Sequence, residues 1–259
     1  MPCRVFALAC HPDDIEFMMA GTLFLLRNSG CELHYMNLAN GCLGSAELDK
    51  NETARVRRIE SMRAAEYLGA TFHESLAEDL GVFYTPELVA KLTAVVRRIE
   101  PDIVLLPSPE DYMEDHMNTS RLGVTAAFSR GIPSYVTDPP QAATFQDVFL
   151  YHALPYGLTD GLRRTIVPDF FIDISSVIDE KLSMLACHQS QREWLDRTQG
   201  LSSYLETARQ MSHSVGAMSG RFELAEGWRQ HAHLGFSATD RDPLGEILAD
   251  HRAAAAAAR

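Results

Sequence analysis

At 259 residues, with 46% hydrophobic and 22% charged residues and a formal net charge of −12, the chain has the composition of a globular protein that can bury a sizeable core without disulfide staples. The acidic balance and the lack of a Lys/Arg block exclude a nucleic-acid partner, and no apolar run is long enough for a membrane span. The five cysteines, Cys3, Cys10, Cys31, Cys42 and Cys187, are odd in number and form no C-x-x-C pair, which predicts free thiols in a reducing, cytoplasmic setting. The first apolar stretch stops at His11-Pro12-Asp13-Asp14 and has no basic leader, so it does not read as a signal peptide.

Val5–Cys10 is a short apolar run that reads as the first strand. A helix is expected over Phe17–Asn28 with Gly30 as its stop, then a second strand over Glu32–Leu38. A glycine-rich loop, Asn40-Gly41-Cys42-Leu43-Gly44-Ser45, precedes a helix expected over Thr53–Leu68. A short strand near Thr71–Glu74 follows, and Pro86 opens a helix in which Leu88, Leu92, Val95 and Ile99 repeat at helical spacing. Ile103-Val104-Leu105-Leu106 is a continuous apolar strand, as suits a parallel strand covered on both faces, and a helix is expected over Met117–Phe128. The second half is less regular: strands over Val148–Tyr151 and Phe170–Ile174, and helices over Ile178–Cys187 and Leu201–His213. Arg97-Arg98 and Arg163-Arg164 read as helix ends or solvated faces, and Ala253–Ala258 as a frayed helical tail.

Alternating strands and helices predict an α/β fold: a Rossmann-like, doubly wound, mostly parallel sheet with helices on both faces and a C-terminal α+β extension. No Pro/Gly/Ser linker divides the chain. It reads as one domain over 1–259, with a regular core over 1–130, a pocket-forming extension over 131–240 and a tail over 241–259.

Two loops carry chemistry. His11-Pro12-Asp13-Asp14 ends the first strand, and Pro107-Ser108-Pro109-Glu110-Asp111-Tyr112-Met113-Glu114-Asp115-His116 follows the fourth apolar strand. In open α/β sheets, ligands bind outside the carboxyl ends of the strands, so these two loops can meet. His11, Asp14 and His116 then supply two imidazoles and a carboxylate, the composition of a catalytic zinc site that keeps a position open for water. Asp13 is left free to accept a proton. The first strand–helix turn is acidic and lacks G-x-G-x-x-G, which argues against a dinucleotide site, so the Gly41–Gly44 loop is expected to form a wall of the pocket.

The string Cys10-His11-Pro12-Asp13-Asp14-Ile15-Glu16 with Ala20-Gly21-Thr22, together with Pro101-Asp102-Ile103-Val104 and Glu110–His116, resembles the PIG-L/LmbE-like zinc N-deacetylases. The similarity continues through Arg57-Arg58-Ile59-Glu60, His188-Gln189-Ser190-Gln191, Tyr204-Leu205-Glu206 and Ala225-Glu226-Gly227. The resemblance implies Zn2+ on His11, Asp14 and His116, with Asp13 as general base. It also implies Arg57 as a substrate- or base-positioning arginine, Tyr204 as an oxyanion stabiliser, and Asp115 as a carboxylate supporting the last ligand. It further implies removal of an acyl group from a small-molecule N-acyl amino sugar, and a homo-oligomer, since relatives commonly assemble. One departure stands out: many relatives carry His-Pro-Asp-His where this chain has Met113-Glu114-Asp115-His116. Methionine cannot transfer a proton, and His188 is the candidate to take over part of that traffic.

Two other readings compete. A Mg2+-dependent phosphohydrolase is disfavoured by the imidazoles, because Mg2+ prefers oxygen ligands. A metal-binding sugar-recognition protein without turnover is kept open by Met113. His213, His231 and His233 read as parts of polar, partly exposed segments rather than as a second metal site.

Overall fold

The computed structural model describes residues 2–192 and 204–255. Its strands are β1 (Arg4–Ala9), β2 (Glu32–Asn37), β3 (Thr71–His73), β4 (Ile103–Leu106), β5 (Phe149–Ala153), β6 (Phe170–Asp173), β7 (Ala225–Gln230) and β8 (Arg252–Ala254). They form one sheet in the order β3-β2-β1-β4-β5-β7-β6-β8. From β3 to β5 every pairing is parallel, and β7, β6 and β8 add antiparallel pairings. The strand order reverses direction beside β1, whose parallel neighbours are β2 and β4. That is the topological switch point, and it places the loop after β1 next to the loop after β4.

The helices are α1 (Asp14–Met18), α2 (Ala20–Asn28), α3 (Lys50–Leu68), α4 (Pro86–Ile99), α5 (Glu114–Ser129), α6 (Ile178–Leu185), α7 (Tyr204–Ser219) and α8 (Pro243–Ile247). β1 shows why its sequence is continuously apolar. Val5, Ala7 and Ala9 pack in one core with residues of α2, α3 and α6, whereas Phe6 and Leu8 pack on the other face with residues of α4 and α5. Helix bounds follow local capping chemistry. Asp49 accepts from the backbone N–H groups of Asn51 and Glu52, so α3 begins upstream of the expected Thr53, and Gly69 closes it at φ 78°. Thr85 caps α4 ahead of Pro86.

The helix expected over Phe17–Asn28 is two helices, broken at Met19 (φ −133°). The cause lies more than 200 residues away in sequence. Glu226 of β7 accepts from the N–H groups of Gly21 (2.9 Å) and Thr22 (2.8 Å), capping α2 as a separate helix. Lys181 of α6 bonds Glu226 at 2.7 Å and the Phe17 carbonyl at 2.9 Å. Gly21 is required here, because a Cβ would lie 2.6 Å from Ile174.

Several expectations for the second half need correction. β7 was not anticipated, because Glu226 and Gly227 interrupt its apolar pattern. The short α8 was also missed. The alanine tail is not helical where it is described: Ala253 pairs with Phe171 in an antiparallel ladder. Residues 256–258 lie outside the described residues, as do residues 201–203 of the helix expected over Leu201–His213.

Arg97 stands in the last turn of α4, as the helix-end reading expects, but it is buried rather than solvated. Its guanidinium donates to the carbonyls of Ser129, Arg130, Ile132, Tyr135 and Gln141 at 2.8–3.2 Å, which holds the connection between α5 and β5. Arg97→Ala is expected to lower stability by about 2–3 kcal/mol, because it strands buried carbonyls; the shift in denaturant midpoint measures it. No helix among the described residues is long and apolar enough to cross a membrane.

Candidate active site

The turn after β1 is tightly determined. Asp13 is a non-glycine residue at φ 98°, a left-handed conformation that costs an L-residue roughly 1–2 kcal/mol. The surrounding bonds hold it there. The His11 N–H donates to Asp14 Oδ2 (2.7 Å), Asn37 Nδ2 donates to the His11 carbonyl (2.8 Å), and Arg57 Nη2 donates to the Pro12 carbonyl (2.6 Å). This geometry turns adjacent carboxylates toward different partners.

Asp14 meets the two histidines. His11 Nδ1 and His116 Nε2 lie 3.2 Å apart, Asp14 Oδ2 lies 3.4 Å from His116 Nε2, and it lies 3.7 Å from His11 Nδ1. Ligands about 2.0–2.1 Å from a tetrahedral zinc stand roughly 3.3–3.4 Å from one another. The three donor atoms therefore have the spacing of one face of such a tetrahedron, and the donor set fits a zinc-type ion. Burial opposes the Asp14 charge, but His116 and His11 outweigh it and hold the carboxyl below its ordinary range.

Each histidine is backed by a carboxylate. Asp115 Oδ2 lies 3.4 Å from His11 Nε2 and accepts from the Leu80 N–H at 2.6 Å. Asp111 Oδ1 lies 3.2 Å from His116 Nδ1. This corrects the expected partnering: Asp115 supports His11, and Asp111, which carried no role in the sequence, stands behind His116. Such partners fix ring orientation and ligand basicity. Asp111→Ala is expected to weaken metal affinity by about 10–100-fold, measurable by chelator competition. Cys10 Sγ, His11 Nε2 and Asp115 also converge, but Cys10 is fully buried on the far side of the ring and does not line the cavity.

Asp13 occupies a different environment. Tyr204 of α7 donates its hydroxyl to Oδ2 at 2.5 Å, and Arg57 of α3 stands 3.8 Å from Oδ1. Burial pushes the Asp13 carboxyl up to about 6, with the Arg57 charge opposing. His188 is completely buried, with Nε2 at 3.1 Å from Glu16 Oε1. Burial alone would depress this imidazole, but the Glu16 and Asp13 charges outweigh it and raise it. Glu16 is itself held by the Tyr35 hydroxyl at 3.0 Å.

These groups border a cavity of about 290 Å³, into which His11, Asp13, Asp14, Arg57 and His116 face together with Met113. Leu43 and Gly44 form part of its wall, where the glycine-rich loop was expected. Gly41 and Gly44 let that loop lie on Arg57, since a Cβ at either would come within 2.7 Å of the guanidinium side chain. Tyr204 and His188 do not line the cavity. Tyr204 reaches it through Asp13, whereas His188 meets Glu16. Tyr156, unmarked by any motif, does line it and packs edge-on against Phe17 at 5.5 Å.

Comparisons with known proteins agree with this architecture. The family model described as PIG-L, GlcNAc-PI de-N-acetylase, matches residues 6–127. The diacetylchitobiose deacetylase of Thermococcus kodakarensis is 31% identical over 194 residues, covering 73% of this chain and 70% of the relative. The 4-oxalmesaconate hydratase of Pseudomonas putida is 25% identical over 227 residues, 83% of each chain. The solved N,N'-diacetylchitobiose deacetylase of Pyrococcus horikoshii shares the fold at a TM-score of 0.75 and 23% identity, covering 93% of this chain and 88% of that one. With its strand order, its loops and a relative matched over more than two thirds of both chains, the protein belongs to the PIG-L family and is an enzyme of the amidohydrolase class.

Proposed function

We propose that the chain is a zinc-dependent N-deacetylase acting on the acetamido group of an N-acetylglucosamine-type sugar. The observation that carries this reading is the set of His11, Asp14 and His116 donor atoms at tetrahedral spacing, opening on a cavity that Asp13 also borders. A zinc ion held by these residues supplies acidification of a water and polarisation of the amide carbonyl.

The chain's own residues move the proton. Asp13 accepts it from the attacking water as the new C–O bond forms. It returns the proton to the amide nitrogen as the C–N bond breaks, so that acetate and a free amine leave. Met113 faces the cavity without a transferable proton, so one carboxylate serves both transfers. Tyr204 fixes Oδ2 of Asp13, while the Arg57 and His188 charges favour its ionised form. His188 thus acts through Asp13 rather than on the amine.

The test is zinc analysis coupled to amine release from N-acetylated sugars. Bound zinc with amine release supports the reading. Hydration of 4-oxalmesaconate without amine release would transfer the chain to the chemistry of its hydratase relative. Tightly held Mg2+ in place of zinc would favour phosphohydrolysis, and sugar binding without any turnover would favour a recognition protein.

A further inference from the structure

The opening of the cavity carries exposed apolar side chains. Leu43, Leu80 and Tyr112 all line it, and they remain 49%, 66% and 56% exposed. Single exposed apolar residues are ordinary, but a cluster around one opening marks a binding surface. Met113 continues that surface inward.

Each rim residue is held in place by the frame of the site. The Leu43 N–H donates to Asp79 Oδ2 at 2.9 Å. Leu80 sits at φ 58°, a left-handed conformation that is strained for leucine. Its N–H is tied at 2.6 Å to Asp115, the carboxylate that meets His11. The Tyr112 ring packs edge-on to His116 at 5.8 Å and tilted to Tyr156 at 6.4 Å. A preordered apolar surface loses little freedom when a ligand covers it. The cavity, about 290 Å³, is at the small end of small-molecule sites. An acetamido sugar ring fills such a space and leaves its substituent at the rim.

We propose that Leu43, Leu80 and Tyr112 bind an apolar group joined to the sugar, so that the enzyme selects alkyl or aryl N-acetylglucosaminides over the free sugar. This inference rests on the N-deacetylase reading.

The experiment compares N-acetylglucosamine, its methyl β-glycoside and its octyl β-glycoside, the last below its micelle concentration. Amine release gives kcat/KM, and calorimetry gives Kd for the methyl and octyl glucosaminide products. The octyl compounds are expected to exceed the methyl ones by about tenfold or more in both measurements. That ratio should fall toward one in Leu43→Ser and in Leu80→Asn, the latter chosen because asparagine tolerates the left-handed backbone. Equal octyl and methyl values in the parent enzyme, or a preference unchanged in both variants, would overturn the proposal and leave the deacetylase reading standing. Failure of the zinc-loaded enzyme to release amine from all three sugars would overturn the reading beneath it.

Discussion

Asp13→Asn is expected to lower kcat by about a thousandfold while zinc remains bound, a loss in the range for removing a positioned general base. The two carboxylates of the first loop separate cleanly. Asp14 presents Oδ2 to both imidazoles, whereas Asp13 is turned by its left-handed backbone toward Tyr204 and Arg57. An asparagine oxygen still accepts from the Tyr204 hydroxyl, so the substitution removes the proton acceptor and leaves the local bonds largely in place. Asp14→Asn and His116→Ala should behave in the opposite way, losing zinc first and activity as a consequence. Zinc titration beside steady-state amine release distinguishes the two patterns. An Asp13→Asn enzyme that keeps parental kcat would show that another group accepts the proton. Tyr204→Phe should give a smaller loss in kcat, since among the described residues the hydroxyl bonds to the base rather than reaching into the cavity.

The same division shows how far the sequence is legible. His11 and Asp14 follow one apolar run and His116 follows another, and the parallel-sheet rule brings the loops after such runs together, so the convergence of these three residues can be read without coordinates. The partners of those residues cannot. Whether Asp111 or Asp115 backs a given imidazole depends on how the loop after β4 enters α5: Asp115, expected beside His116, meets His11, and Asp111, for which no role is expected, meets His116. Tyr204 illustrates a second limit. Its presence near the site follows from the family resemblance, but the direction of its hydroxyl, onto Asp13 rather than into the cavity, follows from α7 packing its ring at 5.2 Å from Phe17. Arg57 could have formed a pair along its own helix with Glu60. Instead Glu60 accepts from the backbone and hydroxyl of Ser190, leaving Arg57 to the loop and Asp13.

For the fold, the parallel half is legible because both faces of each inner strand are covered, which writes contiguous apolar runs such as Val5–Cys10 and Ile103–Leu106. The antiparallel half hides its strands. β7 contains a buried carboxylate and a glycine whose missing Cβ admits Leu154. β8 is built from alanines whose helix propensity is overridden by pairing with β6.

Glu226 makes the hidden strand consequential, and it grounds the largest expected effect on stability. Lys181→Ala should destabilise the protein by about 3–5 kcal/mol, the range for removing one partner of a buried pair. Both side chains are almost completely buried, and the Glu226 carboxylate is committed to the N–H groups of Gly21 and Thr22 as well as to the Lys181 ammonium. Without Lys181, a charge remains in the core beside the break between α1 and α2, and the Phe17 carbonyl loses its donor. Those two helices follow directly from the Asp13-Asp14 turn, so loosening them should also weaken zinc affinity, with Lys181 acting through Glu226 and the carbonyl of Phe17, which lines the cavity. Lys181→Met combined with Glu226→Gln removes both charges, and the glutamine oxygen can still cap α2. The double variant should therefore be less destabilised than Lys181→Ala, a comparison that separates the stranded charge from lost packing. Thermal unfolding should register Lys181→Ala as a fall in Tm of roughly 10 °C for a chain of this size. A Lys181→Ala protein with parental Tm would mean that the carboxylate finds its neutralisation elsewhere.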